Sequence, residues 1–263
     1  MTGSERQQIR DGLSTQKFHA ASPSSDCNSS ACLVYEFDLC IGMSKTATSD
    51  RNRLIDVPRF PSSSTHTIPA RRTIIHPKET TEFVLIICHG WAARSIAAPN
   101  GHRQILSFLL PGNLISTTSL FESSHGHYVE AITEVTYRKF KQDDFKAALF
   151  RCRVLLEKLS MAWIDERVQA DQLALNLGNK GAGKKIAWLI LSLEKRLAKH
   201  GITSGEKIDF PLRQRHVASA IGLTHVHVGK VLAQFQRARL IEICDRSLRI
   251  INKEGLHHIA GWQ

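Results

Sequence analysis

No hydrophobic run in this sequence approaches the ~20 residues that span a bilayer, so no membrane partner is expected. The opening MTGSERQQIRDG is polar and lacks the apolar core of a secretion signal. A cytoplasmic, bacterial-type protein is the expectation. None of the six cysteines (Cys27, Cys32, Cys40, Cys88, Cys152 and Cys244) forms a C-x-x-C pair. The first three run C-x4-C-x7-C, which lacks a fourth ligand and the tight spacing of zinc or iron–sulfur sites. Free thiols are expected there, and disulfides are not expected in a reducing compartment. Acidic residues are in the minority, 24 against 35 Lys and Arg, for a net charge of +11. The imbalance is local. Residues 1–150 hold 16 basic and 14 acidic side chains; residues 151–263 hold 19 and 10. A basic C-terminal half suits a polyphosphate partner, because neutralising phosphates releases counterions. A solvated basic surface is the alternative.

What is present divides the chain into four stretches. Residues 1–65 are polar, with Ser-rich SPSSDCNSS and PSSSTHT, and weak order is expected. A short strand or helix is expected near Leu33–Ile41. Met43 opens MSKTATSDRNRLI, which reads as a natural start. Residues 66–150 carry β texture. IPARRTIIH reads as one strand, and Phe83–Cys88 is β-branched, aromatic and too short for a stable helix. Pro99-Asn100-Gly101 is a turn signal between two apolar runs. Val129, Ala131, Val135 and Tyr137 then alternate. Short strands at this spacing predict an antiparallel β-roll or barrel.

Helical texture begins at Asp143. In residues 151–178, Leu155, Leu159, Ala162, Glu166, Gln169 and Leu173 approximate a heptad seam, from which a dimer interface is expected. Residues 179–263 open with a helix over Lys184–His200, its apolar face formed by Ile186, Leu189, Ile190, Leu193 and Leu197, with Gly201 as a stop.

The segment Gln214–Lys230, QRHVASAIGLTHVHVGK, reads as helix, turn, helix. Val217, Ala218, Ile221, Leu223, Val228 and Val231 fall where two crossed helices need small or apolar contacts. Gly222 falls where the turn needs positive φ, and Thr224 can cap the second helix. Such a unit places its second helix in the major groove of DNA. LIEICDRSLRII then alternates as two strands around Asp245-Arg246-Ser247, a β-wing. The fold class expected is α+β: a β-roll, a long helix and a C-terminal winged helix-turn-helix.

Three blocks in this order resemble the Crp/Fnr superfamily of bacterial transcription regulators. HGWAARSIAAPNGHRQILSFLLPGNLI is similar to the family's β-roll. DERVQADQLALNLGNKGAGKKIAWLILSLEKRL is similar to the end of its dimerisation helix and the linker beyond. LRQRHVASAIGLTHVHVGKVLAQFQRARLIEI is similar to its helix-turn-helix and wing. The resemblance runs from about Ile68 to the C-terminus. It implies a homodimer that binds a pseudo-palindrome in double-stranded DNA, with RNA polymerase as a further partner, and no enzymatic activity. It also implies a cyclic-nucleotide-binding-like roll. Cyclic-AMP-binding members carry Gly-Glu-Leu-Gly and then Arg-Ser; here the matching positions read Ser116-Thr117-Thr118-Ser119 and His127-Tyr128. Neither the carboxylate for a ribose hydroxyl nor the arginine for the phosphate is present, so no cyclic AMP is expected. Cys27, Cys32, Cys40 and Cys88 do not reproduce the spacings of the family's oxygen-sensing branch, so no iron–sulfur cluster is expected, and His125-Gly126-His127 reads as a turn, so no haem is expected either. The pattern is closer to FixK-like rhizobial regulators. A second reading keeps a small-molecule or haem sensor in the roll, with DNA binding as its output.

Several side chains are expected at DNA. Thr224 caps the second helix and meets phosphate. His225 and His227 stand near the helix start, within reach of bases or phosphates, or are simply solvated. They do not form a metal pair, because i,i+2 residues point apart. The family's usual Glu and Arg are replaced by Val226, which can meet a thymine methyl, and Lys230, which donates to guanine without a bidentate fork. The familiar TGTGA or TTGAT half-site is therefore not expected. Gly229 allows close approach. Arg213, Gln214 and Arg215 meet the backbone and position the protein, and Arg246 at the wing tip can add a phosphate contact. The stretch Gly178–Lys185 nearly spells a Walker A loop, but Lys185 replaces the Mg²⁺-binding hydroxyl, so a basic hinge is expected. His125-Gly126-His127 reads as a turn.

Overall fold

A computed structural model describes residues 60–261, apart from 61, 100, 117–119, 122–125, 180, 200–202 and 205–206. Cys27, Cys32, Cys40, the Leu33–Ile41 stretch, Met43, His125 and Gly201 lie outside the described residues. The N-terminal half is a roll of two antiparallel sheets. One has the order β1–β7–β3 and the other β2–β6–β4–β5, with β1 Ser64–Ile68, β2 Thr73–Ile75, β3 Phe83–His89, β4 Ala92–Ala97, β5 Arg103–Leu109, β6 Tyr128–Ala131 and β7 Val135–Lys141. The stretch expected as one strand, IPARRTIIH, is broken. Arg71 at φ 69° turns the chain between β1 and β2.

The unbroken apolar run of β3 has a simple cause: both of its faces are covered. Leu85 and Ile87 point into the roll with Ile75, Leu109, Ile115 and Val129. Val84, Ile86 and Cys88 point outward, where Phe60, Phe140 and helices cover them. Those helices are α1 (Gln142–Arg151) and α2 (Arg153–Asn179). Phe145 and Leu149 of α1 and Leu155 and Leu159 of α2 complete this layer. Each fully buried side chain of this size contributes about 1.5–3 kcal/mol.

The C-terminal half is built on α3 (Ala182–Lys199), with α4 (Gln214–Ile221), α5 (His225–Arg237) and α6 (Lys253–Ala260) around it. A four-stranded sheet, β10–β11–β9–β8, flanks them, with β8 Thr203–Ser204, β9 Lys207–Asp209, β10 Ile241–Cys244 and β11 Ser247–Ile250. β10 and β11 form the expected wing. β8, β9 and α6 were not anticipated; α6 is signalled by Asn252, whose side chain caps it through the Gly255 N–H at 2.8 Å, and by Gly261 at its end.

The two halves share a core. Trp91, Ala93, Ile105, Phe108 and Leu110 of the roll pack with Ile186, Leu189, Leu193, Val217 and Ala220. Gln104 Nε2 donates to Ala220 O at 3.1 Å, and Ser219 Oγ donates to Arg103 O. Arg196 Nη2 donates to Phe108 O at 2.5 Å and to Asn113 Oδ1 at 3.2 Å. Burial, and then the neighbouring Arg94, lower the Arg196 pKa to about 10. At the joint between α2 and α3, Lys185 is not part of a solvated basic hinge. It is buried, and its Nζ donates to Leu177 O at 3.1 Å, satisfying a carbonyl of the last turn of α2.

Candidate nucleic-acid interface

The turn between α4 and α5 forms as its sequence requires. Gly222 is left-handed, at φ 65° and ψ 44°, and the Leu223 N–H returns to Ala218 O at 3.1 Å. Thr224 is extended, and its hydroxyl accepts from the His227 N–H at 3.2 Å. That bond satisfies one of the four backbone donors left open at a helix start. Val228, Val231, Leu232 and Phe235 are buried against the unit, which fixes the rotation of α5. The opposite face, His225, Val226, His227 and Lys230, is exposed; Val226 keeps 55% of its surface in solvent. An apolar side chain held open on an otherwise polar helix face is suited to an apolar patch such as a thymine methyl.

Arg213, Gln214 and Arg215 are exposed at the start of α4. His216, which the sequence reading passed over, organises them. Its Nδ1 accepts from the Arg213 backbone N–H at 3.2 Å, completing the helix start. Only a ring unprotonated at Nδ1 can accept. Burial, then Arg215 and Arg213, push the His216 pKa down to about 4. The spacing of Arg213 and His216, cap and third helical residue, was the available signal. Gly229 has a partner inside the protein. A Cβ there would stand 2.9 Å from Gln214 Oε1, so the absent side chain makes room for Gln214 across the two helices.

The wing turns in two residues, Asp245 at φ 47° and Arg246 at φ 62°, the mirror-image turn that suits a tight hairpin. Arg246 O accepts from the Phe210 N–H at 2.7 Å, which ties the wing tip to the strand leading into α4.

The heptad seam requires a correction. Leu155 and Leu159 are 0% exposed and belong to the protomer's own core. Glu166 pairs with Arg94 of the roll, and Leu173 packs on the C-terminal core. Ala162 and Gln169 line a cavity of about 470 Å³ between the roll, α2 and α3. That stripe faces inward because the roll is covered by it. The apolar residues left open on α2 are Leu156, Met161, Ile164, Val168 and Leu175, at 45%, 55%, 53%, 51% and 57% exposure. Met161, Val168 and Leu175 repeat every seven residues.

Two family models match. The cyclic nucleotide-binding domain covers residues 65–152, and the Crp-like helix-turn-helix domain covers residues 184–259. The chain belongs to the Crp/Fnr family of DNA-binding transcription regulators. Among similar proteins, the transcriptional activatory protein AadR of Rhodopseudomonas palustris is 23% identical over 248 residues, 92% of this chain and 98% of its own. The nitrogen fixation regulation protein FixK of Rhizobium meliloti is 29% identical over 164 residues, 61% of this chain and 70% of its own. The structure of FixK2 from Bradyrhizobium japonicum superposes with a TM-score of 0.67 at 23% identity, covering 75% of this chain and 96% of that one. A Crp/Fnr regulator from Thermus thermophilus gives 0.58 at 17% identity over 75% and 98%. No helix among the described residues is long and apolar enough to cross a membrane.

Proposed function

We propose that this Crp/Fnr regulator works as a homodimer joined along the outer stripe of α2, and that it reads an operator unlike the familiar half-sites. The observation that carries the reading is the outer face of α5. It offers Val226 and Lys230 with His225 and His227, while capping and core packing hold the helix in place. The outer stripe of α2 supports the dimer, since a row of open apolar side chains at heptad spacing is what a second parallel helix buries. Two such units set half-sites about one helical turn apart. RNA polymerase is the further partner that this role implies, and the cytoplasm is its place.

Cyclic AMP is not the signal in the usual manner. Ser116 is buried where the nucleotide-binding motif begins, and the Arg103 guanidinium is engaged within the roll, 4.0 Å over the Tyr128 ring and 3.3 Å from the Glu130 carboxylate. One observation favours the second reading, a small-molecule sensor. Arg94 Nε and Ser107 Oγ are buried without a hydrogen-bond partner, and both residues line the 470 Å³ cavity. Mass spectrometry of the native protein tests it: a co-purifying molecule supports a sensor, and a bare protein that binds its operator at full affinity rejects one.

Selection of duplexes from random DNA by the full chain tests the main reading. A two-fold-related consensus differing from TGTGA and TTGAT is expected. Lys230→Ala should then weaken binding to that consensus by ~1–3 kcal/mol and relax preference at one position per half-site. Unchanged preference would remove Lys230 from the base-reading set.

A further inference from the structure

Gly229 is the one glycine within α5, and a side chain of the other helix occupies the space it leaves. A Cβ at Gly229 would stand 2.9 Å from Gln214 Oε1, 3.1 Å from its Nε2 and 3.2 Å from its Cδ. Oxygen, nitrogen and carbon are all close, so the whole amide head lies against the backbone of α5. Glycine weakens a helix interior relative to alanine. Here it permits an approach that alanine would block.

Gly229 stands on the border between two faces of α5. Its neighbour Val228 and Leu232, three residues on, are buried; Val226, three residues back, and Lys230, the next residue, are exposed. Helix geometry puts Val226 about 60° round the axis from Gly229. The Gln214 amide therefore joins the row that holds Val226 and Lys230. Gln214 is fixed from its own end as well. It is the first residue of α4, whose start is set by the bond from the Arg213 N–H to His216 Nδ1 at 3.2 Å.

The side chain of Gln214 is exposed, and among the described residues no hydrogen bond engages its amide. Its two N–H donors and its acceptor oxygen stay open. The flanking Arg213 and Arg215 can neutralise phosphates, whereas a neutral amide releases no counterion. A planar amide held still beside a recognition face matches the N6 and N7 edge of adenine.

We propose that Gln214 is a base-reading residue. Seated in the Gly229 notch, its amide pairs with an adenine in each half-site, at a position other than the one Lys230 reads. The adenine N6 donates to Oε1, and Nε2 donates to N7. The recognition surface is composite, with α4 supplying one of its readers.

This role rests on the helix-turn-helix reading, and the experiment separates the two. Duplexes are selected from random DNA by the full chain as wild type, Gln214→Ala, Gln214→Glu and Gly229→Ala. The wild type should return a two-fold-related consensus with a strongly selected adenine in each half-site. Gln214→Ala should return the same consensus with that position degenerate. It should bind the wild-type operator about 5- to 150-fold more weakly per half-site. Gln214→Glu keeps the shape but only accepts, so it should move that position from adenine toward cytosine. Gly229→Ala pushes the amide aside and should relax the same position; adding it to Gln214→Ala should change nothing further. A wild type that selects no consensus would sink the helix-turn-helix reading and this role with it. A wild-type consensus that Gln214→Ala leaves unchanged at every position would overturn the proposal alone. That holds whether affinity falls uniformly, as for a phosphate contact, or stays the same. Additive losses from Gly229→Ala and Gln214→Ala would overturn the notch as the seat of the amide.

Discussion

Helix α2 has two apolar faces, and they do different work. The inner one, with Leu155 and Leu159, is the lid of the roll and is closed within the protomer. The outer one, with Met161, Ile164, Val168 and Leu175, is half open to solvent. Both stripes satisfy a loose seven-residue repeat. A heptad pattern identifies a face that will be buried but does not say by what; the deciding information lies in β3. Its Val84, Ile86 and Cys88 need a cover, and α1 together with the start of α2 provides it.

The sharpest way to break this comparison is to place one carboxylate on each face. Leu159→Asp puts an unpaired charge in a fully closed core. It should cost about 4 kcal/mol or more and abolish cooperative unfolding of the roll in urea. A folded Leu159→Asp chain that is merely monomeric would return Leu159 to the interface. Val168→Glu should leave the unfolding midpoint of the roll in place and shift the dimer to monomer, read by analytical ultracentrifugation. A dimer that survives Val168→Glu, Ile164→Glu and Leu175→Glu together would reject the outer stripe.

The helix-turn-helix was the most legible part of the chain because its determinants are local. Gly222 at positive φ, Thr224 as cap and the buried set Val217, Ile221, Val228, Val231 and Phe235 all follow from spacing within one segment. Elsewhere the deciding contacts span long separations. The β1–β2 break depends on Arg71 bonding to Ala131. Lys185 reads in sequence as part of a basic hinge, and only the fold shows that α2 supplies a carbonyl for it. The role of Gly229 was half visible: its smallness was plain, but the side chain that uses the space, Gln214, sits on the other helix. Thr224→Ala tests the legible part. Loss of the cap should cost ~1 kcal/mol in the unfolding of the C-terminal half, with a parallel loss in operator affinity. An unchanged midpoint would mean that core packing alone sets the start of α5.

The smallest effect separates a local cap from its charged surroundings. His216 accepts the Arg213 backbone N–H, and its pKa is pushed down to about 4 by burial and then by Arg215 and Arg213. In the unfolded chain the same ring titrates near ~6.5. Above that pH it is neutral in both states, and the cap is fully present. Between about 6.5 and 4 the unfolded chain takes up a proton that the folded chain refuses, so stability falls as pH falls; below about 4 the loss is complete. The ring is partly open to solvent, which screens the effect to about 1 kcal/mol. Urea unfolding at pH 7 and pH 5 should therefore show a larger drop for the wild type than for His216→Asn, whose side-chain oxygen can still accept but does not titrate. Equal drops would place the acid sensitivity of the helix-turn-helix elsewhere. A larger drop in the variant would show that the wild-type ring is charged against its arginine neighbours already at neutral pH.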